Sequence, residues 1–296
     1  MSMRYVIYDT NEYYGMVGNS NRSFQDIAHT IDELRENEQR KDLVPIFNST
    51  VAFELINRLC TEDTESQDRY IRACYALYYH CRESLPVVTK NPIATYIENT
   101  FCTKGFPFER TIKFLECLYN NPTLENLGRN VCIIRDISNV VQHCQRSYLR
   151  DLQSVRELFE LREEEHQKAK ETQVRDKYFT WKTLTFLAGV VQTCTFERIE
   201  VNEKFVNENT IQAFIEEHRT YLEISHRFDN IYVAGGFDLS NPKTANTFWD
   251  AEICYHLGTK INGNDVGVVT EEKQLHEAAQ LAGQENLMLF RKQIYE

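Results

Sequence analysis

Acidic side chains stand at points of the sequence where predicted strands end or predicted helices begin. Asp9 ends the first apolar run, Glu54 lies one turn into the helix pattern after the second run, and Asp250 lies near the start of a late helix pattern. Glu271 and Glu272 directly follow "DVGVVT", another strand pattern. Ligands of parallel α/β sheets bind outside the carboxyl ends of the strands. Carboxylates that meet there could bind a metal ion.

Each of these acids also has a purely structural interpretation. Asp9 fits an Asx-turn, and Glu54 fits a solvated helix face. Asp250 follows Thr247 by three residues, as in a variant of the capping box. The two glutamates follow Thr270, a good N-cap, and acids in the first turn of a helix complement its dipole. Taken singly, none of these acids predicts a functional site.

The apolar patterns of the two chain ends alternate between strands and helices. The predicted strands cover 4–9, 43–49, part of 230–239, 265–270 and 287–290, and the predicted helices cover 24–40, 50–59, 247–258 and 271–283. Strands separated by helices indicate an α/β fold with a parallel sheet. We therefore expect one α/β domain made of residues 1–60 and 228–296, interrupted by a mainly helical insertion over 61–227.

The composition excludes several classes of protein. The chain has 296 residues and a formal net charge of −11, which disfavours a protein that coats DNA but agrees with an acidic active site. Its 9 cysteines include no Cys-x-x-Cys pair and its 8 histidines form no His-Glu-x-x-His pattern, which disfavours a zinc site. We expect no membrane span, and the start of the chain lacks a secretory pattern, which predicts a cytoplasmic protein.

Four segments of the chain share their order and their apolar framework with a known family. "VIYDTN", "PIFNSTVAFELINRL", "WDAEICYHLG" and "VGVVTEEKQLHEAAQLAG" together resemble the PIN-domain nucleases. That family carries a strand-end Asp followed by Thr or Ser and often Asn, a Glu on the helix after the second strand, a late helical Asp, and an acid in a T-x-D turn. The resemblance covers residues 4–60 and about 245–290.

The resemblance implies a PIN-like parallel-sheet α/β/α core and a metal-dependent endonuclease. Asp9, Glu54, Asp250 and Glu272 would be its catalytic and metal-binding acids, with Mg²⁺ or Mn²⁺ as the cofactor. RNA would be the substrate ahead of single-stranded DNA, in a toxin or defence-type ribonuclease. Many relatives are dimers, so a homo-oligomer or a protein partner is also expected.

Four neighbouring residues would support the acids. Thr10 and Asn11 would orient the first carboxylate or a water molecule, and Thr270 would match the Thr of the last family motif. The family usually has Asp where this chain has Glu272, and Glu271 stands beside it. Either of these two glutamates would therefore complete the site.

The helical insertion would select the substrate. Its Tyr and Phe side chains would either stack on unpaired bases or fill a core. Its arginines would bind phosphates if they share a face, or else pair with neighbouring acids. These arginines are Arg129, Arg135, Arg146, Arg150, Arg156 and Arg162.

Two other functions remain open at this point. "RTYLEISH" (219–226) and "RSFQDIAH" (22–29) have the Arg/His spacing of a HEPN-like helical ribonuclease. Alternatively, the PIN-like fold is kept without catalysis, and the protein is a binding or scaffold protein. The departure at Glu271 and Glu272 and the acidic net charge favour that second alternative.

Overall fold

The chain is a mixed α/β protein in which helices surround a small, mainly parallel sheet. The structure is a computed structural model, and it describes residues 3–18, 22–60, 63–85, 87–89, 92–102, 108–163, 171–202, 204–234 and 242–295.

Helices and strands follow one another along the chain from an N-terminal strand to a C-terminal helix. In order they are β1 (Arg4–Tyr8), α1 (Thr10–Val17), α2 (Phe24–Arg40), β2 (Leu43–Pro45), β3 (Phe47–Asn48), α3 (Ser49–Arg58), α4 (Thr64–Cys81), β4 (Val88–Thr89), α5 (Pro92–Phe101), α6 (Phe108–Asn120), α7 (Leu124–Arg129), α8 (Val131–Glu163), α9 (Glu171–Phe196), α10 (Glu208–Glu217), α11 (Arg219–Ala234), α12 (Pro242–Cys254), β5 (Lys260–Ile261), β6 (Asn264–Val269), α13 (Lys273–Leu281), a 3₁₀ turn (Glu285–Leu287), β7 (Met288–Leu289) and α14 (Lys292–Tyr295).

Strand β1 forms the centre of the sheet. It pairs in parallel with β2 on one side and with β6 on the other, and β6 pairs in parallel with β7. The residues from Tyr5 to Tyr8 are all buried, as expected for a strand covered by helices on both faces. Ile46 lies between β2 and β3, and its N–H donates to the Val6 carbonyl at 2.9 Å. Strand β3 then pairs in parallel with β4.

The path of the chain reverses direction across the sheet at β1. The chain first moves outward from β1 to β2, and it returns on the opposite side of β1 only with β6. Such a reversal opens a crevice at the carboxyl ends of the two strands, which is where α/β sheets bind their ligands. In this chain the crevice lies where Tyr8 and Val269 end β1 and β6.

The start of α2 shows how local sequence signals build the crossover that leads from β1 to β2. The Ser23 hydroxyl accepts the Asp26 N–H at 3.1 Å, and the Asp26 carboxylate accepts the Ser23 N–H at 3.1 Å. This reciprocal pair satisfies two donors that a helix start leaves without partners. The buried stripe of Ile27, Ile31 and Leu34 then holds α2 against the core.

Most of the predicted elements at the two chain ends agree with the structure. The strand over 4–9 and the helices over 24–40, 50–59 and 271–283 are present within two residues at each end. The predicted strand 43–49 is divided at Ile46 into β2 and β3.

Three local predictions are wrong. The segment "GMVGNSNRS" (15–23) has the composition of a turn, but residues 15–17 belong to α1, because a helix begins directly after Asp9. The helix predicted over 247–258 runs from Pro242 to Cys254, and residues 255–258 form a turn. Residues 230–234 form the end of α11, not a strand, and residues 235–239 lie outside the described residues. The buried side chains Leu222, Ser225 and Asp229 recur at helical spacing, and this periodicity overrides the local strand pattern.

The main hydrophobic core joins both chain ends with part of the predicted insertion. It contains β1 and β6 side chains together with Leu115 and Leu118 of α6 and Tyr148 and Leu152 of α8. Two smaller clusters form around α9, α10 and α11. The division into a core of residues 1–60 and 228–296 and an insertion of 61–227 stays a prediction. No described helix combines the length and the hydropathy of a membrane span.

Candidate acidic site at the sheet edge

Asp9 lies at the carboxyl end of β1 and is held from several directions. Its N–H donates to the Val269 carbonyl at 3.0 Å, which continues the pairing of β1 with β6. Its Oδ1 accepts the Thr10 N–H at 2.6 Å and so caps α1, and its Oδ2 accepts the Thr270 hydroxyl at 3.0 Å. The side chain is buried. Asp9 is therefore the N-cap of a helix rather than part of an Asx-turn, and its carboxylate stays at the carboxyl end of β1.

Glu54 reaches the same crevice from α3. Its Oε2 accepts the Thr10 hydroxyl at 2.6 Å, and its Oε1 lies 3.4 Å from Nη2 of Arg58. Asn48 sets the start of α3, because its Oδ1 accepts the Val51 N–H at 3.1 Å while its Nδ2 donates to the Thr89 hydroxyl at 2.8 Å. Glu54 is buried and is not the solvated helix residue of the structural interpretation.

Glu272 follows β6 and is tied to the same crevice through Thr270. Its N–H donates to the Thr270 hydroxyl at 3.0 Å, and its Oε1 accepts the Gln274 N–H at 3.4 Å. The latter contact makes Glu272 the N-cap of α13. Its negative charge raises the pKa of Asp9. Glu272 therefore lies close enough to Asp9 to act on its ionisation.

Asp250 completes the group from α12. Removal from water raises its pKa well above the ordinary value, and the charges of Asp9, Glu272 and Glu54 raise it further. None of the described residues donates a hydrogen bond to its carboxylate. Four carboxylates from four separate elements thus act on one another, and we call Asp9, Glu54, Asp250 and Glu272 the acidic cluster.

The acids of the cluster hold their protons more tightly than carboxylates in water do. Burial raises the pKa of Asp9 to about 6, against the hydrogen bonds from Thr270 and Thr10 that lower it. Burial and then the charge of Asp9 raise the pKa of Glu54 to about 7, although Thr10 and Arg58 lower it. Such shifts mark sites where ionised groups lack a counter-charge, and they are frequent at functional sites.

No family model, curated protein or solved structure matches the chain. The resemblance to PIN domains therefore rests on the acid motifs and their apolar framework.

The cluster fits a cation by charge but is not arranged as a finished metal site. Among the residues that the structure describes, no three His, Cys, Asp or Glu side chains are placed so that they could ligate one ion. Asp9 and Glu54 are hydrogen-bonded to Thr270 and Thr10, and Glu272 is used as a helix cap. Oxygen ligands of this kind suit Mg²⁺, which keeps several of its waters.

Glu271 points away from the cluster. Its Oε1 accepts the Arg291 N–H at 3.1 Å, on the side of α14. Asn11 is exposed, and a hydrogen bond from its side chain lowers the pKa of Asp9. Between the two neighbouring glutamates, Glu272 is the one that acts on Asp9 and Asp250.

Glu12 is a buried acid near the cluster that the sequence analysis missed. It is 3 % exposed, its Oε2 lies 3.8 Å from Nε of Arg291, and burial raises its pKa to about 7 against that positive charge. Asp9 also raises the pKa of Glu12, which places the two acids near each other. The signal that could have found it is its position three residues after an Asp that caps a helix.

The two Arg/His segments do not form a comparable site. Arg219 is exposed on α11, whereas His226 is buried with its ring centroid 4.8 Å from that of Tyr178. In the other segment, Arg22 donates to the Met16 carbonyl at 2.6 Å, and His29 is exposed. In each of the two segments, the Arg and the His side chains thus have different surroundings.

The arginines of the predicted insertion have different environments. Arg129 pairs with Glu125, as the structural interpretation expects. The exposed residues Arg135, Arg146 and Arg150 form no ion pair with a described carboxylate. At helical spacing these three lie on one side of α8, within about 60° of one another. The side chain of Arg162 lies outside the described residues.

Proposed function

We propose that this protein is a PIN-like, metal-dependent nuclease that hydrolyses phosphodiester bonds, with RNA as its substrate. One observation carries the proposal. Four carboxylates from separate elements, Asp9, Glu54, Asp250 and Glu272, lie near enough to one another at the strand ends for their charges to raise pKa values within the group. A fold gains no stability from four close negative charges, so their convergence favours a site that takes up positive charge.

The hydroxyl groups of two threonines hold the acids in place. Thr10 donates to Glu54, and Thr270 donates to Asp9, so each of these carboxylates keeps a fixed orientation while its other lone pairs stay available. Because Asp9 and Glu54 have pKa values of about 6 and 7, a cation would displace protons from them at neutral pH. Bound Mg²⁺ or Mn²⁺ would lower the pKa of a water molecule and neutralise charge on the phosphoryl oxygens.

An open cleft next to the acidic cluster offers room for a polymer. Its volume is about 580 Å³, and its wall includes Asn11, Glu271, Arg291 and Lys292. Arg291, which lies 3.8 Å from Glu12, and Lys292 bring positive charge to this cleft, and charges of this kind bind the phosphates on either side of a scissile bond. The cleft supports a nucleic-acid substrate and does not itself distinguish RNA from DNA.

A cleavage assay tests the proposal. The purified protein is incubated with single-stranded RNA and single-stranded DNA in Mg²⁺ or Mn²⁺, beside Asp9→Asn and Asp250→Asn. We expect cleavage of RNA that EDTA abolishes and that falls at least 100-fold in both variants. Glu277→Gln is the matched control, because Glu277 is an exposed acid on α13 outside the cluster. Cleavage that survives EDTA, or that persists in both cluster variants, contradicts the proposal.

A binding protein without catalysis is the second candidate. Two observations favour it: the described residues contain no set of three ligands already placed for a metal, and Glu272 is used as the cap of α13. This candidate predicts that single-stranded RNA binds but is not cleaved in either metal. An electrophoretic shift assay run on the same samples as the cleavage assay separates the two functions.

A further inference from the structure

A second cavity lies away from the acidic cluster, between the helical region and the turn that follows α12. Its volume is about 710 Å³, which is within the range of small-molecule sites. Helices α5, α9 and α10 and the start of α11 form one wall, and residues 255–261 form the other. The cavity lies among elements that the proposed nuclease chemistry does not use.

The walls of this cavity are aromatic. Phe186 and Phe214 lie with ring centroids 4.6 Å apart, and Tyr96 meets Phe186 edge-on at 5.8 Å. Tyr255 of the second wall stacks on Tyr221 of α11 at 4.1 Å, and its ring centroid lies 6.2 Å from that of Phe186. A cavity with such walls favours a flat, apolar-faced ligand over a sugar or a peptide chain.

Two polar atoms in the walls of the cavity lack hydrogen-bond partners among the described residues. They are Nε2 of His218 and Nε2 of His256, and each is shielded from water. Buried polar groups are nearly always paired in native proteins, so two such groups around one cavity call for an explanation. A ligand that enters the cavity, with small rotations of these rings, would supply the missing partners.

The polar groups of this cavity are neutral. Burial lowers the pKa of His256 to about 4, and it also lowers the pKa of His218. A neutral imidazole offers one donor and one acceptor, and a tyrosine hydroxyl offers both. The charged residues among those that line the cavity are Glu217 and Lys260, and both are exposed. The interior therefore suits an uncharged ligand whose edge alternates donors and acceptors.

The wall made by residues 255–261 packs closely against the start of α11. Gly258 has a φ of +76°, and a Cβ at this position would lie 2.5 Å from Cγ2 of Thr220. The His256 carbonyl accepts the Thr259 hydroxyl at 2.7 Å. These contacts define the turn that places His256 in the wall of the cavity.

We propose that this cavity binds a nucleobase, packed against its aromatic side chains and read along its edge by His218 and His256. A nucleobase combines a flat face with alternating donors and acceptors, and it is the chemistry that such neutral edges recognise. The base can come from a free nucleotide or from a strand of RNA. The inference does not depend on the acidic cluster.

Binding measured without any divalent metal tests this inference. The probes are adenosine, guanosine, cytidine, uridine, an RNA octamer of mixed sequence, and ribose 5-phosphate, examined by saturation-transfer NMR and titration calorimetry in EDTA. We expect at least one nucleoside to bind more than tenfold more tightly than ribose 5-phosphate. Tighter binding of the octamer would identify the base of an RNA strand, and binding of nucleosides alone would identify a free nucleotide.

Two variants locate the binding to the cavity. Asn99→Trp fills it from an exposed position on α5, and His256→Phe removes the ring nitrogens at similar volume. Both should weaken binding more than tenfold, while Asn139→Trp on the exposed face of α8 should not. Circular dichroism checks that each variant is folded. Binding that Asn99→Trp leaves unchanged, or no binding of any base-containing probe to the wild type, overturns the inference.

Asp9→Asn keeps this test separate from the nuclease proposal. Because Asp9 lies in the acidic cluster and not in the cavity, the variant should bind nucleosides as the wild type does. Failure of cleavage with intact nucleoside binding would refute the nuclease proposal alone. Intact cleavage without nucleoside binding would refute the cavity inference alone.

Discussion

The Thr270 hydroxyl donates a hydrogen bond of 3.0 Å to Oδ2 of Asp9, and the two residues are 261 positions apart in the chain. The same hydroxyl accepts the Glu272 N–H at 3.0 Å. One side chain thus fixes the first acid of the cluster and positions the backbone of the last. The acidic cluster therefore depends on the pairing of β1 with β6.

Thr270→Val should therefore affect the ionisation of Asp9. The Thr270 hydroxyl lowers the pKa of Asp9, so its replacement by an isosteric methyl group should raise that pKa. If the protein cleaves RNA, the acid limb of its pH profile should move to higher pH. Thr270→Ser keeps the hydroxyl and should restore the wild-type profile. A profile that is the same in both variants would show that Thr270 has only a packing role.

The stability of the protein should fall between about pH 4 and pH 7. The folded-state pKa values of Asp9 and Glu54, about 6 and 7, lie above their usual values of 3.8 and 4.5. The folded protein therefore binds more protons than the unfolded chain in this window, and its free energy of unfolding decreases as the pH rises. Asp9 alone accounts for about 3 kcal/mol over the whole window, of which about 1.4 kcal/mol falls between pH 5 and pH 8. Urea unfolding at pH 5 and pH 8 measures this part of the difference, and Asp9→Asn should reduce it.

Divalent cations should stabilise the protein, and more strongly at pH 8 than at pH 5. At the higher pH the acidic cluster is ionised and its repulsion is greatest, so a cation that binds the folded state gains most there. We expect 5 mM Mn²⁺, on the order of a hundred times a ~50 μM Kd, to raise the Tm of the protein by several degrees. Thermal unfolding with and without the cation measures this increase. Asp250→Asn should lose most of this increase, and an equal increase in Glu277→Gln and Asp250→Asn would speak against a metal at the cluster.

The two neighbouring glutamates should differ in importance for activity. Glu272 acts on Asp9 and Asp250, whereas the Glu271 carboxylate accepts the Arg291 N–H. Glu272→Gln should therefore reduce RNA cleavage at least tenfold, and Glu271→Gln should reduce it less than threefold. Both variants keep a side chain that can accept the same backbone N–H groups. The reverse order of effects would mean that Glu271 turns inward in the active state.

Gly267→Ala should destabilise the sheet. A Cβ on Gly267 would lie 2.9 Å from the backbone carbonyl oxygen of Leu287, so β6 and the 3₁₀ turn would have to separate. Overpacking of this kind costs about 1–3 kcal/mol. Gly128→Ala is the matched control, because nothing lies within 4 Å of its added Cβ and it is in helix α7. That control should be neutral or slightly stabilising in urea unfolding.

The ends of strands were the part of the fold that could be predicted from the sequence. β1 and β6 are buried on both faces, so their apolar runs are continuous and stop where the polar crevice begins. This is why Asp9 and Glu272 could be placed at one edge from the sequence alone. The pairing of β3 with β4 involves only two residues of each strand, and no local pattern specifies it.

The residues that the sequence analysis missed depend on contacts between distant segments. Glu12 lies in α1, a helix that the sequence patterns did not predict, and its carboxylate lies beside Arg291 at the other chain end. The polar atoms of His218 and His256 become notable only because α10 and the turn after α12 enclose the same cavity. Periodicity describes one segment at a time, so it cannot report such meetings.

The position of β1 between β2 and β6 has a consequence during synthesis. β2 leaves the ribosome soon after β1, but Asn264, where β6 begins, follows Tyr8 only after most of the chain has been made. At about 5–20 residues per second, one edge of β1 waits tens of seconds for its partner. During that time the nascent chain has an open strand edge and an incomplete acidic cluster. A nuclease built in this way would stay harmless to the message that encodes it until its last strands emerge.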